Sequence, residues 1–407
     1  MENGKKYKRT LLACYFAFIT QAITANFAPL LFLTFSREFG VTLGQLAMIP
    51  TVFFLTQLAV DLLCALLSDR VDYRACSVAS EIVCGVGLAG LAVLPGVMPS
   101  PFAGILLCTV LYAVGSGLIE VLASPIVEAC PFENKEGMMS LLHSFYCWGS
   151  VGVILGSTLF FAIFGVESWK WLALLWALIP LVNTWNFATC PIEKLTEDGQ
   201  GMTIPQLFKT KVFFLMILLM VCAGASELSM AQWASAFAEN ALHVSKTVGD
   251  LAGPCGFAVF MGISRVIYSR ISEKTDLTGY MLGSGLLCLL CYLLAAFAKQ
   301  PVFGLIGCTA CGFSVGIMWP GSLSISSSVL PGAGTAMFAL LALAGDLGGA
   351  SGPALVGGMA QRMGENLQSG LLFGMVFPLG LVICVMLLRK WKQNKSVSEG
   401  DSSCQNS

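Results

Sequence analysis

The chain has 407 residues, of which 56% are hydrophobic and only 11% charged, and its mean hydropathy is +0.80. That balance excludes a soluble globular protein and points to many membrane spans. The net charge of −1 says little about partners, because in a membrane chain the placement of charges matters more than their sum.

The first apolar segment begins near Leu11, is longer than a signal h-region and has no small-residue cleavage site behind it, so it reads as a retained span. Twelve segments are long enough to cross a bilayer, at about 10–36, 43–67, 75–95, 101–129, 138–164, 169–190, 208–239, 247–270, 278–298, 301–330, 334–361 and 367–390. Most of the 22 lysines and arginines fall on one side, among them Lys5, Arg74, Lys194, Arg265 and Lys390. Only Arg37, Lys170, Lys246, Lys299 and Arg362 fall on the other. The positive-inside rule then puts both termini in the cytoplasm, in agreement with an even number of spans. Trp169, Trp171 and Trp391 stand at span ends as interfacial anchors.

In the second span and the loop after it, the chain reads Ala65-Leu-Leu-Ser-Asp69-Arg70-Val-Asp72-Tyr73-Arg74, and Asp61 and Glu81 flank that cytoplasmic side, where gate contacts are expected. An Asp and an Arg at a cytoplasmic helix end pair with each other and with a neighbouring helix terminus, which makes a conformational latch of Asp69, Arg70 and Arg74. This stretch resembles the signature between the second and third helices of the major facilitator superfamily, with Ala65 and Asp72 where that pattern usually has glycine. The fourth span, Gly115-Ser-Gly117-Leu-Ile-Glu120-Val-Leu-Ala-Ser-Pro125, is similar to the glycine, glutamate and proline pattern of fucose permease-like sugar–proton symporters. The resemblance implies that Glu120 participates in proton coupling. The acid that those symporters carry on the first helix is absent from Gln21-Ala-Ile-Thr-Ala-Asn26-Phe-Ala-Pro29, and Ser124 stands where asparagine is usual. In the fifth span, His143, Tyr146 and Ser150 fall on one helical face, and that span resembles the fifth helix of the same wider group.

Between Pro191 and Pro205 lies the most polar internal stretch, where two six-helix halves would join. The seventh span then carries Glu227, Gln232 and Trp233 at mid-membrane depth. An ionisable group there costs a few kcal/mol on insertion scales and marks a substrate or ion path. Cys288-Leu-Leu-Cys291 and Cys308-Thr-Ala-Cys311 have CxxC spacing but lie inside spans, where they read as helix-packing residues. The tenth span has Gly312 and Gly316 before Trp319 and Pro320, echoing Gly115 and Gly117 before Pro125. The eleventh has Gly345, Gly348 and Gly352, with the spacing of Gly149, Gly152 and Gly156 in the fifth. Asp346 is the other deep acid of the second half. Glu128, Glu239 and Asp250 are close enough to span ends to be solvated.

No GxxxxGK[ST] or HExxH element occurs, and the one GxSxG match, Gly312-Phe-Ser314-Val-Gly316, lies inside an apolar span, which speaks against ATP-driven transport and against enzyme activity. The expectation is an all-α membrane protein with twelve transmembrane helices in two pseudo-symmetric six-helix bundles, the major facilitator fold. Its parts are residues 1–190, a cytoplasmic linker 191–207, residues 208–395, and a disordered tail 396–407. The expected function is secondary active transport of a small polar organic solute, possibly sugar-like in the sense of that resemblance, by alternating access and proton-coupled symport around a midplane site. Alternatives are a proton-coupled exporter of amphiphilic compounds and a non-transporting membrane sensor. Substrate contacts are assigned to Asn26, His143, Tyr146, Glu227, Gln232, Trp233 and Trp319, and proton coupling to Glu120, Glu227 and Asp346. The expected partners are the solute, protons and the lipid bilayer, with no cofactor, metal or nucleic acid. The chain is expected to be a monomer in the cell (inner) membrane.

Overall fold

The computed structural model describes residues 6–41, 43–67, 72–195, 201–234, 237, 251–364 and 366–404. Among them there is no strand, and eleven helices are long and apolar enough to cross a membrane. The chain is an all-helical membrane protein. Its first six spans are α1 (Lys8–Leu30), α2 (Leu43–Leu66), α3 (Tyr73–Leu91), α4 (Pro101–Ala129), α5 (Lys135–Phe164) and α6 (Trp169–Thr189). They are followed by α7 (Lys211–Ala231), α8 (Gly256–Ile271), α9 (Leu277–Phe297), α10a (Pro301–Val315) with α10b (Met318–Val329), α11 (Thr335–Arg362), and α12a (Leu367–Gly374) with α12b (Val376–Cys404). The eighth expected segment starts outside the described residues; its described part is a π-turn, Leu251–Cys255, running into the 16-residue α8.

Side-chain caps and prolines set many of the helix ends. Asp72 accepts the Ala75 N–H at 2.9 Å and caps α3, which gives a reason for aspartate where the resembled pattern usually has glycine. Ser100 caps α4 with Pro101 in its first turn, and Asn134, Asp276 and Asn366 cap α5, α9 and α12a in the same way. Segments expected to be continuous are broken where a proline lacks the N–H that would reach four residues back. Pro95 follows the end of α3 at Leu91, Pro320 leaves the Gly316 carbonyl without its helical donor, and Pro378 does the same to Gly374. The first segment also divides. After Pro29 the chain breaks at Leu31, and a short helix, Phe32–Phe39, ends on Gly40 in the left-handed conformation, φ 66°.

The chain forms two compact units. One comprises Met1–Ile204 with Pro331–Leu343, and the other comprises Pro205–Leu330 with Ala344–Ser407. In the first, α1 packs on α5 and α6, α2 on α4, and α3 on α4 and α6. In the second, α7 packs on α12b, α8 on α10a, and α9 on α10a and α12b, so the pairing scheme of the first bundle recurs. The glycine echo is only partly matched in packing. A Cβ on Gly348 would run into the backbone carbonyl of Val221 in α7, and one on Gly224 would meet that of Gly345, so α7 and α11 touch backbone to backbone. On α5, Gly149 meets Ala22 of α1, but Gly152 has open space around it.

Trp169 is fully buried rather than part of an interfacial belt. It stacks edge-on against Phe35 and Phe39 and donates to Glu38 at 2.7 Å, while Lys170 donates to the other Glu38 oxygen at 2.7 Å. Burial alone would raise the Glu38 carboxyl, but the hydrogen bonds from Lys170 and Trp169 outweigh it and hold the group below its ordinary value. The two CxxC motifs lie on the antiparallel pair α9 and α10a, which brings Cys288 Sγ to 3.8 Å from Cys311 Sγ in a fully buried contact. Among the described residues the cysteines are free thiols.

Candidate functional site

In the first unit α1 and α2 converge on Glu120, which lies on α4 five residues before Pro125. Its Oε2 accepts the side-chain amides of Gln21 on α1 at 2.9 Å and Gln57 on α2 at 3.2 Å, and the Gln57 amide also donates to Ser116 at 3.2 Å. Gln21 and Gln57 are themselves buried, at 7% and 3% exposure. The stretch of α1 that lacks an acid thus supplies an amide, Gln21, bonded to the acid of α4. A carboxyl held by neutral amides keeps hydrogen-bonding partners whether or not it carries a proton, because a glutamine offers both a donor and an acceptor.

The expected polar face of α5 is divided between two neighbours. His143 is buried, shares a hydrogen bond of 3.2 Å with Ser124 of α4 and stands edge-on to Phe18 of α1. Ser150 accepts from Asn26 of α1 at 3.1 Å and donates to the Tyr146 carbonyl at 3.0 Å, and the Tyr146 side chain is half-buried. Asn26 and Ser150 are thus brought together, and His143 joins α4 instead.

In the second unit the deep acid Glu227 on α7 meets Arg265 of α8, with Oε2 and Nη2 3.5 Å apart. Arg265 is only 3% exposed, so its count among the cations of the cytoplasmic side is corrected: it lies inside the bundle. Its Nε donates at 2.8 Å to the Gly316 carbonyl, the group that Pro320 deprives of a helical partner. One guanidinium thus binds both a carboxylate and the open backbone of the broken tenth span. Sequence reasoning missed it because a lone Arg two turns from the end of a span looks like a positive-inside residue; the signal that could have found it is the Pro320 break, which creates a carbonyl in need of a donor.

The other expected residues of this unit are more scattered. Gln232 is exposed at the C-terminal cap of α7. Trp233 donates to the Pro353 carbonyl at 3.0 Å and covers Gly357, both of α11. Trp319 rests on Gly345, next to the half-buried Asp346. Of the latch residues, Asp69 and Arg70 lie outside the described residues. Arg74 donates to the carbonyls of Phe187 and Ala188 at the end of α6, both at 2.9 Å. Among the described residues no group of three or more His, Cys, Asp or Glu is arranged to hold a metal ion.

The model of the Major Facilitator Superfamily matches residues 13–353. A comparison with curated protein sequences gives no match. Solved structures similar to the chain include the E. coli fucose:proton symporter FucP (N162A), at 16% identity and TM-score 0.78, covering 94% of this chain and 99% of that one. The proton:xylose symporter XylE, bound to 6-bromo-6-deoxy-D-glucose, is similar at 11% identity and TM-score 0.82, covering 95% and 96%. The human organic anion transporter MFSD10 is similar at 15% identity and TM-score 0.70, covering 93% and 99%. At these identities the likeness is one of fold.

Proposed function

The chain belongs to the Major Facilitator Superfamily, and from that premise we propose that it is a proton-coupled symporter of a small polar organic solute, working by alternating access in a cell membrane with both termini cytoplasmic. The observation that carries the reading is Glu120, an acid within a span, bonded by amides from two neighbouring spans. Such an acid takes up a proton from one side and gives it up when water reaches it from the other. Two of the similar structures are sugar–proton symporters, which supports the same chemistry. In the first unit Asn26, His143 and Tyr146 supply solute contacts. In the second they come from Glu227, Gln232, Trp233 and Trp319, whose indoles offer the apolar faces on which ring-shaped solutes stack.

Proteoliposomes screened with a panel of monosaccharides and small organic acids, with internal pH recorded, test this. A transported solute should acidify the lumen on the side it enters. Glu120→Gln, which mimics the protonated acid, should abolish accumulation driven by a pH gradient while leaving binding and solute exchange intact. Accumulation that survives in Glu120→Gln but fails in Glu227→Gln or Asp346→Asn moves the coupling site to the second unit. Proton movement opposite to the solute would make the protein an exporter.

A further inference from the structure

Glu81 on α3 is fully buried, and nothing in the symport reading uses it. Its Oε1 accepts from Asn183 of α6 at 2.8 Å and its Oε2 is bonded to Thr20 of α1 at 3.0 Å. Asn183 is locked in place. Its second N–H goes to the Ala13 carbonyl at 2.9 Å and its Oδ1 accepts from Asn186 at 3.0 Å, so the amide has no reason to turn round and Oε1 stays an acceptor. Oε2 is the oxygen free to change. When the carboxyl is ionised the Thr20 hydroxyl donates to it. When Oε2 carries a proton it donates to Thr20 Oγ1, and the Thr20 hydroxyl proton turns away from the carboxyl.

The groups bonded to Glu81 carry no positive charge. The titratable groups around Glu81 are the buried thiols of Cys14 on α1 and Cys84 on α3 itself. Thr20 and Asn183 supply the neutral contacts, and among the described residues no Lys, Arg or His pairs with it. Arg74, two turns away on the same helix, is committed to the α6 carbonyls. An ionised carboxylate taken out of water without a cation is costly. Helix α1 also presents its next residue, Gln21, to Glu120, so two successive side chains of one span contact two acids on two neighbouring spans.

We infer that Glu81 is a second proton-binding site, joined to Glu120 through Thr20 and Gln21 of α1, so that a shift of α1 changes the bonding of both acids together. Its part in a transport cycle rests on the symport reading, but the site itself does not. The test is therefore solute-free: infrared difference spectra of the purified full-length protein across a pH titration, with protons as the only ligand. The wild type should lose a protonated-carboxyl band as pH rises. That band should be missing in Glu81→Gln and retained in Glu120→Gln. Thr20→Val keeps the side-chain shape but removes the hydroxyl, and it should shift the midpoint of the band even if Glu81→Gln folds poorly. Identical spectra for wild type and Glu81→Gln, or a midpoint indifferent to Thr20→Val, overturn the proposal. In proteoliposomes Glu81→Gln should lower the number of protons moved per solute without loss of solute binding. A wild type that moves solute without protons would defeat the symport reading, and the spectra would still decide Glu81.

Discussion

Arg265 is the residue whose chemistry depends most on its surroundings. Removing one member of a buried ion pair leaves the other charge unpaired, at a cost of about 3–5 kcal/mol. Arg265→Met should therefore lower the stability of the purified protein by that order, because it strands Glu227 and also reopens the Gly316 carbonyl. Adding Glu227→Leu should restore part of the loss, and a double-mutant cycle on denaturation in detergent reads the coupling. Strictly additive losses would mean that the two side chains do not interact. Glu38 gives a pH-dependent counterpart at the end of the bundle where Lys170 lies. Its folded value is held below the unfolded one of about 4.3, so its bonds to Lys170 and Trp169 contribute fully above that unfolded value. The contribution is lost as pH falls through the folded value. Because the Lys170 and Glu38 side chains are 43% and 36% exposed, the contribution is about 1 kcal/mol or less. Thermal melts should show a small loss of stability on acidification that Glu38→Gln flattens.

Among the helices, the glycines of α5 and α11 share a spacing but not a role. Gly348 sits against the Val221 carbonyl, so Gly348→Ala must push α7 and α11 apart and should destabilise the second unit by about 1–3 kcal/mol. Gly152 has nothing within 4 Å of its would-be Cβ, and Gly152→Ala should be neutral or stabilising by about 0.5–1 kcal/mol through helix propensity. Thermal stability of the two variants side by side checks the pair, and equal effects would show that spacing rather than contact decides. The spacing was legible in the sequence; which helix lay opposite was not. The prolines follow the same division, since Pro320 could be read as a break but the arginine that answers it comes from another span.

At the scale of the whole molecule, the charge distribution predicts that Lys5, Arg74, Lys194 and Lys390 face the cytoplasm and that Arg37 and Lys246 face outside. Cysteine substitutions at these positions, labelled with a membrane-impermeant maleimide in intact cells, should react only at the last two. A single inverted position would mean that a span had been miscounted. Arg265→Cys should resist labelling from both sides, since the side chain is buried within its bundle.

The sequence by itself determined that this is a helical membrane protein, because the bilayer forces every span to satisfy its own backbone with some 20 apolar residues, and that requirement is written linearly; the major facilitator type came from the resemblance carried by the motifs around Asp69 and Glu120. It also singled out Glu120 and Glu227, since an acid within an apolar run stands out against its neighbours. Only the tertiary structure decided what those acids touch. Gln21 and Gln57 meet Glu120, Arg265 meets Glu227, and Thr20 and Asn183 meet Glu81, in each case from spans tens of residues distant in the chain. A side chain's partner across a helix interface depends on the rotation and depth of both helices, and packing fixes these quantities where periodicity within one span does not.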